Sequence, residues 1–335
     1  MKKLKYLLWI PVPFLLYWAL KDIHFRELFA ILGRLTILQI GVLLAVNLLF
    51  VLILTLRWAV ILRGLGEPVG LFRLFTYRLA GYAVSYLTPG PQFGGEPLQI
   101  YLANRRSDLG YDVGSASILL DKTFELLGNF AFLGLASLAL LPLGLLPSGS
   151  GLRLALPLPS LLIALPAAYL GAIFFGIRPL SWFMSRLPAG FLARPRIQKT
   201  AALIRSSETR ILAYCRRPGR TLGQLLLFFL LVWTISLAEM RLVLHFLEVP
   251  ITLLQTLLVL AGGKLAFLLP FPGALGVLEL TQVGIFELLD LGSQTGMSLV
   301  LYMRARDLLF AAAGLTAAFL GGRRRKSLSS PSPGL

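Results

Sequence analysis

Apolar positions in this chain are gathered into long blocks rather than a single alternating or helical stripe. Ile37–Leu56, Val113–Leu141, Leu161–Ile177, Leu222–Leu244 and Met297–Leu320 reach or approach the about 20 residues needed to cross about 30 Å of hydrocarbon. Six crossings are expected, at about 5–20, 36–57, 113–141, 155–177, 221–246 and 296–320. The first follows Met1-Lys-Lys-Leu-Lys5 in the manner of a secretory signal. No small-x-small cleavage site follows, so a retained helix is expected, kinked or started late by Pro11 and Pro13. Two further apolar stretches, 72–105 and 252–290, are interrupted by Pro and Gly. They are too broken for simple spans and too apolar for surface loops. Each predicts a re-entrant hairpin, whose irregular backbone needs cover from protein or a water-filled cavity. The expected fold is an all-α, polytopic membrane protein.

Composition agrees. Of 335 residues, 57% are hydrophobic and 14% charged, and the mean hydropathy is +0.79; a soluble domain carries about 25% charged residues. Lys and Arg number 32 against 15 Asp and Glu. No nucleic-acid module accompanies that excess, so it reads as positive residues retained on the cytoplasmic side of a cell membrane. With both termini inside, Arg57, Arg63, Arg73, Arg105, Arg106 and the basic connector 178–220 fall in the cytoplasm. External loops 142–151, 247–252 and 287–296 then hold no Lys or Arg. Loop 21–35 is the exception, with Lys21, Arg26 and Arg34. The connector fits interfacial amphipathic helices or a solvated loop. Residues 1–320 form one transmembrane domain, and 321–335 a basic, then Ser/Pro-rich, disordered tail.

The broken stretches match each other. Pro89 and Pro91 pair with Pro270 and Pro272, Gly95 with Gly276, and Ala80-Gly81 with Ala261-Gly262. Lys122 pairs with Arg304 and Glu125 with Asp307. Two repeats follow, about 36–141 and 221–320, each a span, a broken hairpin and a span. Span 36–57 runs inward and 221–246 outward, so the repeats are inverted. Paired broken helices in inverted repeats are a plan of alternating-access transporters, with the substrate held between the repeats.

Pro and Gly at each break end one half-helix and begin another. The new N-termini, beyond Gly94-Gly95 and around Gly273–Gly276, suit a phosphate or carboxylate; the competing reading is a turn that satisfies the amides locally, and the recurrence of the motif in both halves favours the site. Glu96, Glu279 and Lys264 lie in apolar surroundings, where a charge needs a partner, a proton or a ligand. Glu96 and Glu279 are candidate partners for Lys264. Gln92 and Gln99 add neutral hydrogen bonding. Asp121, Lys122 and Glu125, like Arg304, Arg306 and Asp307, cluster at helical spacing, as intrahelical pairs or as cavity charges. Glu239 and Arg241 read as a structural pair. One cysteine, Cys215, and two histidines leave no disulfide or metal site. No nucleotide-binding loop or nucleophile elbow occurs. No cofactor and no ATP hydrolysis are expected.

These motifs resemble the lysylphosphatidylglycerol synthase membrane-domain family, often called flippase-like. Its first signature appears as Pro91-Gln-Phe-Gly-Gly-Glu-Pro-Leu-Gln-Ile-Tyr-Leu102 followed by Leu119-Leu-Asp-Lys122. Its second appears as Pro272-Gly-Ala-Leu-Gly-Val-Leu-Glu279. The likeness covers about residues 36–320. Gln99 and Lys122 stand where the family commonly has Arg. The resemblance implies a lipid translocator for a phospholipid, a modified phospholipid or a polyprenyl-type lipid, with any lipid-modifying enzyme on a separate chain. A membrane transferase and a non-transporting scaffold are the competing readings.

Overall fold

The computed structural model describes residues 33, 35–88, 94–138, 157–188, 190, 194–216, 220–269 and 271–320. The expected span at 5–20, Pro89, Pro91, Gln92, Pro270, loop 142–151 and the tail lie outside them. Among the described residues the chain is all helical.

The first half comprises α1 (Ile37–Gly64), α2 (Leu71–Leu87), α3 (Glu96–Ser107) and α4 (Tyr111–Leu138). A connecting group follows: α5 (Pro157–Phe174), α6 (Pro179–Ser185) and α7 (Pro195–Cys215). The second half comprises α8 (Arg220–Phe246), α9 (Leu253–Leu268), α10 (Val277–Leu288) and α11 (Ser293–Leu320). The first-half helices are 28, 17, 12 and 28 residues long. Those of the second half are 27, 16, 12 and 28. The length pattern repeats as the sequence motifs do.

Capping explains several boundaries. Thr36 and Gln39 form a reciprocal capping box before α1, and Thr252 and Gln255 form one before α9. Pro97 in the first turn of α3 loses no intrahelical bond there. Asp108 ends α3 in the left-handed conformation. The second break turns through a short 3₁₀ segment, Pro272–Ala274, with Gly273 at φ 55° and Gly276 at φ 77°. Glycine adopts such angles without the Cβ clash that other residues suffer.

Across the first break the chain reverses. Tyr77 Oη lies 3.1 Å from Ser107 Oγ, and Gly95 N–H donates to Ser85 Oγ at 3.0 Å, so α2 and α3 run antiparallel. Gly95 is required for this approach, because a Cβ there would fall 1.9 Å from the Gly81 carbonyl oxygen. α3 is in turn antiparallel to α4: Glu96 meets Lys122, and Ile100 faces Gly114. α2 crosses into the second half and packs antiparallel on α11, with Leu79 against Gly314, Tyr82 bonded to Asp307 and Tyr86 near Arg304. α1 packs on α8, and α4 on α9. The Phe132 and Trp233 rings stack at 4.0 Å between α4 and α8.

The buried set is mainly hydrophobic, but it includes several charges, and many large apolar side chains are exposed. Arg57, Asp121, Arg304 and Asp307 are at most 3% exposed, while Ile37, Leu38, Leu165 and Leu280 are at least 75% exposed. By length and composition alone, α1 and residues 223–246 of α8 can cross a membrane. The bent pair α5–α6 gives a third candidate. α4 and α11 are as long as α1 but carry Asp121, Lys122 and Glu125, or Arg304, Arg306 and Asp307, mid-helix. Arg57, expected at the cytoplasmic surface, instead lies seven residues inside the end of α1 and is buried. α1 extends well past the expected end at residue 57, which draws that guanidinium into the protein.

Candidate functional site

The two halves enclose a cavity of about 240 Å³. α1, α2, α3 and α4 line one side, and α8, α9 and α11 the other. Its walls mix aromatic rings, among them Phe124, Phe229, Trp233 and Phe267, with charged side chains.

The first-half charges form one network. Asp121 takes Arg57 Nε on Oδ1 and Arg78 Nη1 on Oδ2, each at 2.7 Å. Arg78 also donates to the Leu54 carbonyl at 2.8 Å. Lys122 Nζ stands between Glu125, at 3.0 Å, and Glu96, at 3.1 Å. Glu125 lies 4.0 Å from Arg57. The other Glu96 oxygen accepts the Gly94 amide at 2.8 Å. The first-break amides of Gly94 and Gly95 thus have acceptors inside the protein, in Glu96 and Ser85. Side-chain capping uses the donors that a phosphate at this N-terminus would need.

The second half repeats the logic with different residues. Arg304, the twelfth residue of α11 as Lys122 is of α4, pairs with Glu279 at 2.8 Å. It also donates to the carbonyl oxygens of Gly273 and Ala274 and approaches Tyr86 Oη at 3.5 Å. Arg306 pairs with Glu239 at 2.7 Å and Asp307 at 2.8 Å. Tyr82 donates to Asp307 at 2.8 Å, and Tyr302 to Glu239 at 3.2 Å. Asn47 of α1 donates to Tyr302 at 3.2 Å. Glu239 is therefore bonded to Arg306 rather than to its sequence neighbour Arg241, which is two residues away and on another helix face.

Lys264 is not bound to Glu96 or Glu279. Lys122 and Arg304 occupy those carboxylates. The Lys264 ammonium lies 5.5 Å from the centre of the Trp233 ring and has no carboxylate within ion-pair distance among the described residues.

Of the sequence candidates, Glu96, Gln99, Lys122, Glu125, Lys264, Gly273 and Asp307 line the cavity. Asp121, Arg304 and Glu279 support its wall. Gly94, Gly95 and Gly276 shape the breaks, and Pro272 begins the 3₁₀ turn. Gln99 is 5% exposed and packs on Gly81. Arg57, Arg78, Tyr82 and Gln282 were not among those candidates. Arg78 stands in an apolar stretch, where a charge needs a partner, and finds it in Asp121. Gln282, wholly buried, donates to the Val259 carbonyl at 3.0 Å across the second hairpin and lies against Gly263.

Among the described residues the chain is helical, with several charged side chains buried and many large apolar ones exposed, as in a membrane protein. This chain belongs to the family described as the lysylphosphatidylglycerol synthase TM region, whose profile matches residues 9–314. It is 25% identical over 303 residues to a UPF0104 membrane protein of Pyrococcus horikoshii, covering 84% of this chain and 86% of the relative. A second UPF0104 membrane protein, from Methanothermobacter thermautotrophicus, is 32% identical over 131 residues, spanning 38% of each chain. No solved structure matches.

Proposed function

We propose that this protein moves a polar-headed membrane lipid between the leaflets of the cell membrane. The observation that carries this reading is the central cavity, where buried charges from both halves meet aromatic walls. A headgroup needs polar partners while its chains remain among apolar ones, and such a cavity supplies both. The helix directions support the same reading, in which the two halves are inverted repeats. α2 is antiparallel to α3, and α3 to α4, so α2 and α4 run together. α11 opposes α2, hence also its own counterpart α4. In this reading α2–α3 and α9–α10 are re-entrant hairpins entering from opposite faces, and both termini and the basic connector are cytoplasmic. The protein acts as a transporter without an ATPase of its own, its partner is the lipid, and a separate chain carries out any lipid modification.

The test is a leaflet-exchange assay on the full-length protein in liposomes, using acyl-chain-labelled lipids and dithionite quenching of the outer leaflet. Wild type should quench beyond the half reached by protein-free vesicles, and a Gly128→Trp variant, filling the cavity wall, should not. Equal plateaus for wild type and empty vesicles across phosphatidylethanolamine, phosphatidylglycerol and a polyprenyl phosphate would end this reading.

A further inference from the structure

The charges around the cavity sort into groups. Arg57, Arg78 and Lys122 are tied to Asp121, Glu125 and Glu96, three positive against three negative. Arg304 is tied to Glu279, which is neutral as a pair. Arg306 is tied to both Glu239 and Asp307, leaving that cluster one negative charge in excess. Lys264 supplies the balancing positive charge. Its ammonium makes no ion pair within 4.0 Å among the described residues, and it stands in the field of Glu125 as well as of Glu239 and Asp307.

The cavity is therefore neutral as a whole but polarised within. A single cation lies on α9 beside Trp233, and a net anion lies where α8 meets α11. Both Arg306 donors to Asp307 reach Oδ1. Asp307 is wholly buried, and its Oδ2 meets no hydrogen-bond donor among the described residues. Glu279 Oε2 is also without a donor among these residues, but Asp307 Oδ2 belongs to the cluster with the excess negative charge, where a partner is called for.

Two opposite charges held apart in a low-dielectric cavity attract a ligand with the complementary separation. We infer that the cavity selects a zwitterionic headgroup, its phosphodiester on Lys264 and its ammonium on the Glu239–Arg306–Asp307 cluster. A monoanionic headgroup satisfies Lys264 and leaves the cluster unpaired, and a cationic one does the reverse. This assignment rests on the transport reading for its biological sense, but the binding preference is measurable without transport.

The probes are three short-chain lipids, namely dihexanoyl phosphatidylethanolamine (zwitterionic), dihexanoyl phosphatidylglycerol (monoanionic) and dihexanoyl ethylphosphatidylcholine (cationic). Each is titrated calorimetrically into the purified full-length protein in a neutral detergent. Wild type should bind the zwitterion at least about tenfold more tightly than either other lipid, about 1.4 kcal/mol. Lys264→Gln makes the cavity net negative and should move the cationic probe to first place. Glu239→Gln makes it net positive and should move the monoanion to first place. Asp307→Asn repeats that test should Glu239→Gln fail to fold. A merely structural role for these residues would weaken all three probes without reordering them. Equal wild-type affinity for the zwitterion and the monoanion, or the same reordering in both variants, overturns the inference. If the predicted ordering is found but no leaflet exchange occurs, the headgroup assignment stands and the transport reading falls.

Discussion

The two helix breaks are held closed by different chemistry at equivalent positions. At the first, a lysine sits between two carboxylates, and side chains cap the turn amides. At the second, an arginine spreads its planar donors over Glu279 and two turn carbonyls, and the backbone turns through positive φ at Gly273, Ala274 and Gly276. An ammonium is a point charge able to change partners, whereas a guanidinium fork fixes geometry. The first break is thus tied by a point charge, and the second by a fork of fixed geometry.

The largest test of this contrast is Arg304→Ala. It leaves Glu279 and the turn carbonyls without their donor and should cost about 3–5 kcal/mol in folding, the range for breaking a buried pair. Lys122→Ala leaves Glu125 with Arg57 nearby and Glu96 with the Gly94 amide, and should cost about 1–3 kcal/mol. Denaturant unfolding in detergent measures both, and equal losses would erase the distinction. Next come the glycines. Gly95→Ala must push α3 from α2 and should cost about 1–3 kcal/mol, as overpacking does. Gly276→Ala meets open space but a left-handed backbone, and should cost about 1–2 kcal/mol. Tyr77–Ser107 cross-linking through introduced cysteines should weaken in the first variant and persist in the second.

The side of the membrane on which the connector lies is accessible through Cys215. An impermeant thiol reagent should leave it unlabelled in intact cells and label it after permeabilisation. Burial pushes the Cys215 thiol up, so labelling should quicken as pH rises above neutrality. Labelling of intact cells would overturn the inward placement of the connector. The smallest effect concerns α4, whose first turn is also tied to α7. Burial tends to raise the Asp112 carboxyl, but bonds from Arg210 and Ser206 hold it below the usual range. That tie is present above the ordinary carboxylate pKa and is lost as pH falls through the lowered one. The pair is partly exposed, so Asp112→Asn should change stability little at neutral pH. It should nonetheless remove some of the acid sensitivity seen in thermal melts.

Much of this architecture was legible because bilayer-spanning segments are defined by composition. The interruptions at both breaks are foreshadowed by Pro and Gly, and Lys122 and Arg304, matched in the sequence, are each the twelfth residue of their helix. Pairing was not legible. Asp121 is bound by Arg57 and Arg78, distant in sequence, and Glu239 by Arg306 rather than Arg241. Such partners depend on which helices meet, and one sequence does not specify that. Lys264 lines the cavity, but the carboxylates expected for it, Glu96 and Glu279, are paired with Lys122 and Arg304.

The elbow between α5 and α6 bears on how the molecule would sit at its working depth. The two helices meet at 92°. If α5 stands along the bilayer normal, α6 lies flat, with Leu180, Trp182 and Phe183 facing outward. Arg186 lies 4.7 Å from the Trp182 ring. Indole and guanidinium side by side favour the boundary between lipid and water. Glu208 of α7 accepts the amides of Leu180 and Ser181, each at 2.8 Å, so the flat helix is welded to the basic one beneath it. In that placement this outrigger fixes the depth of the connector against the lipid surface.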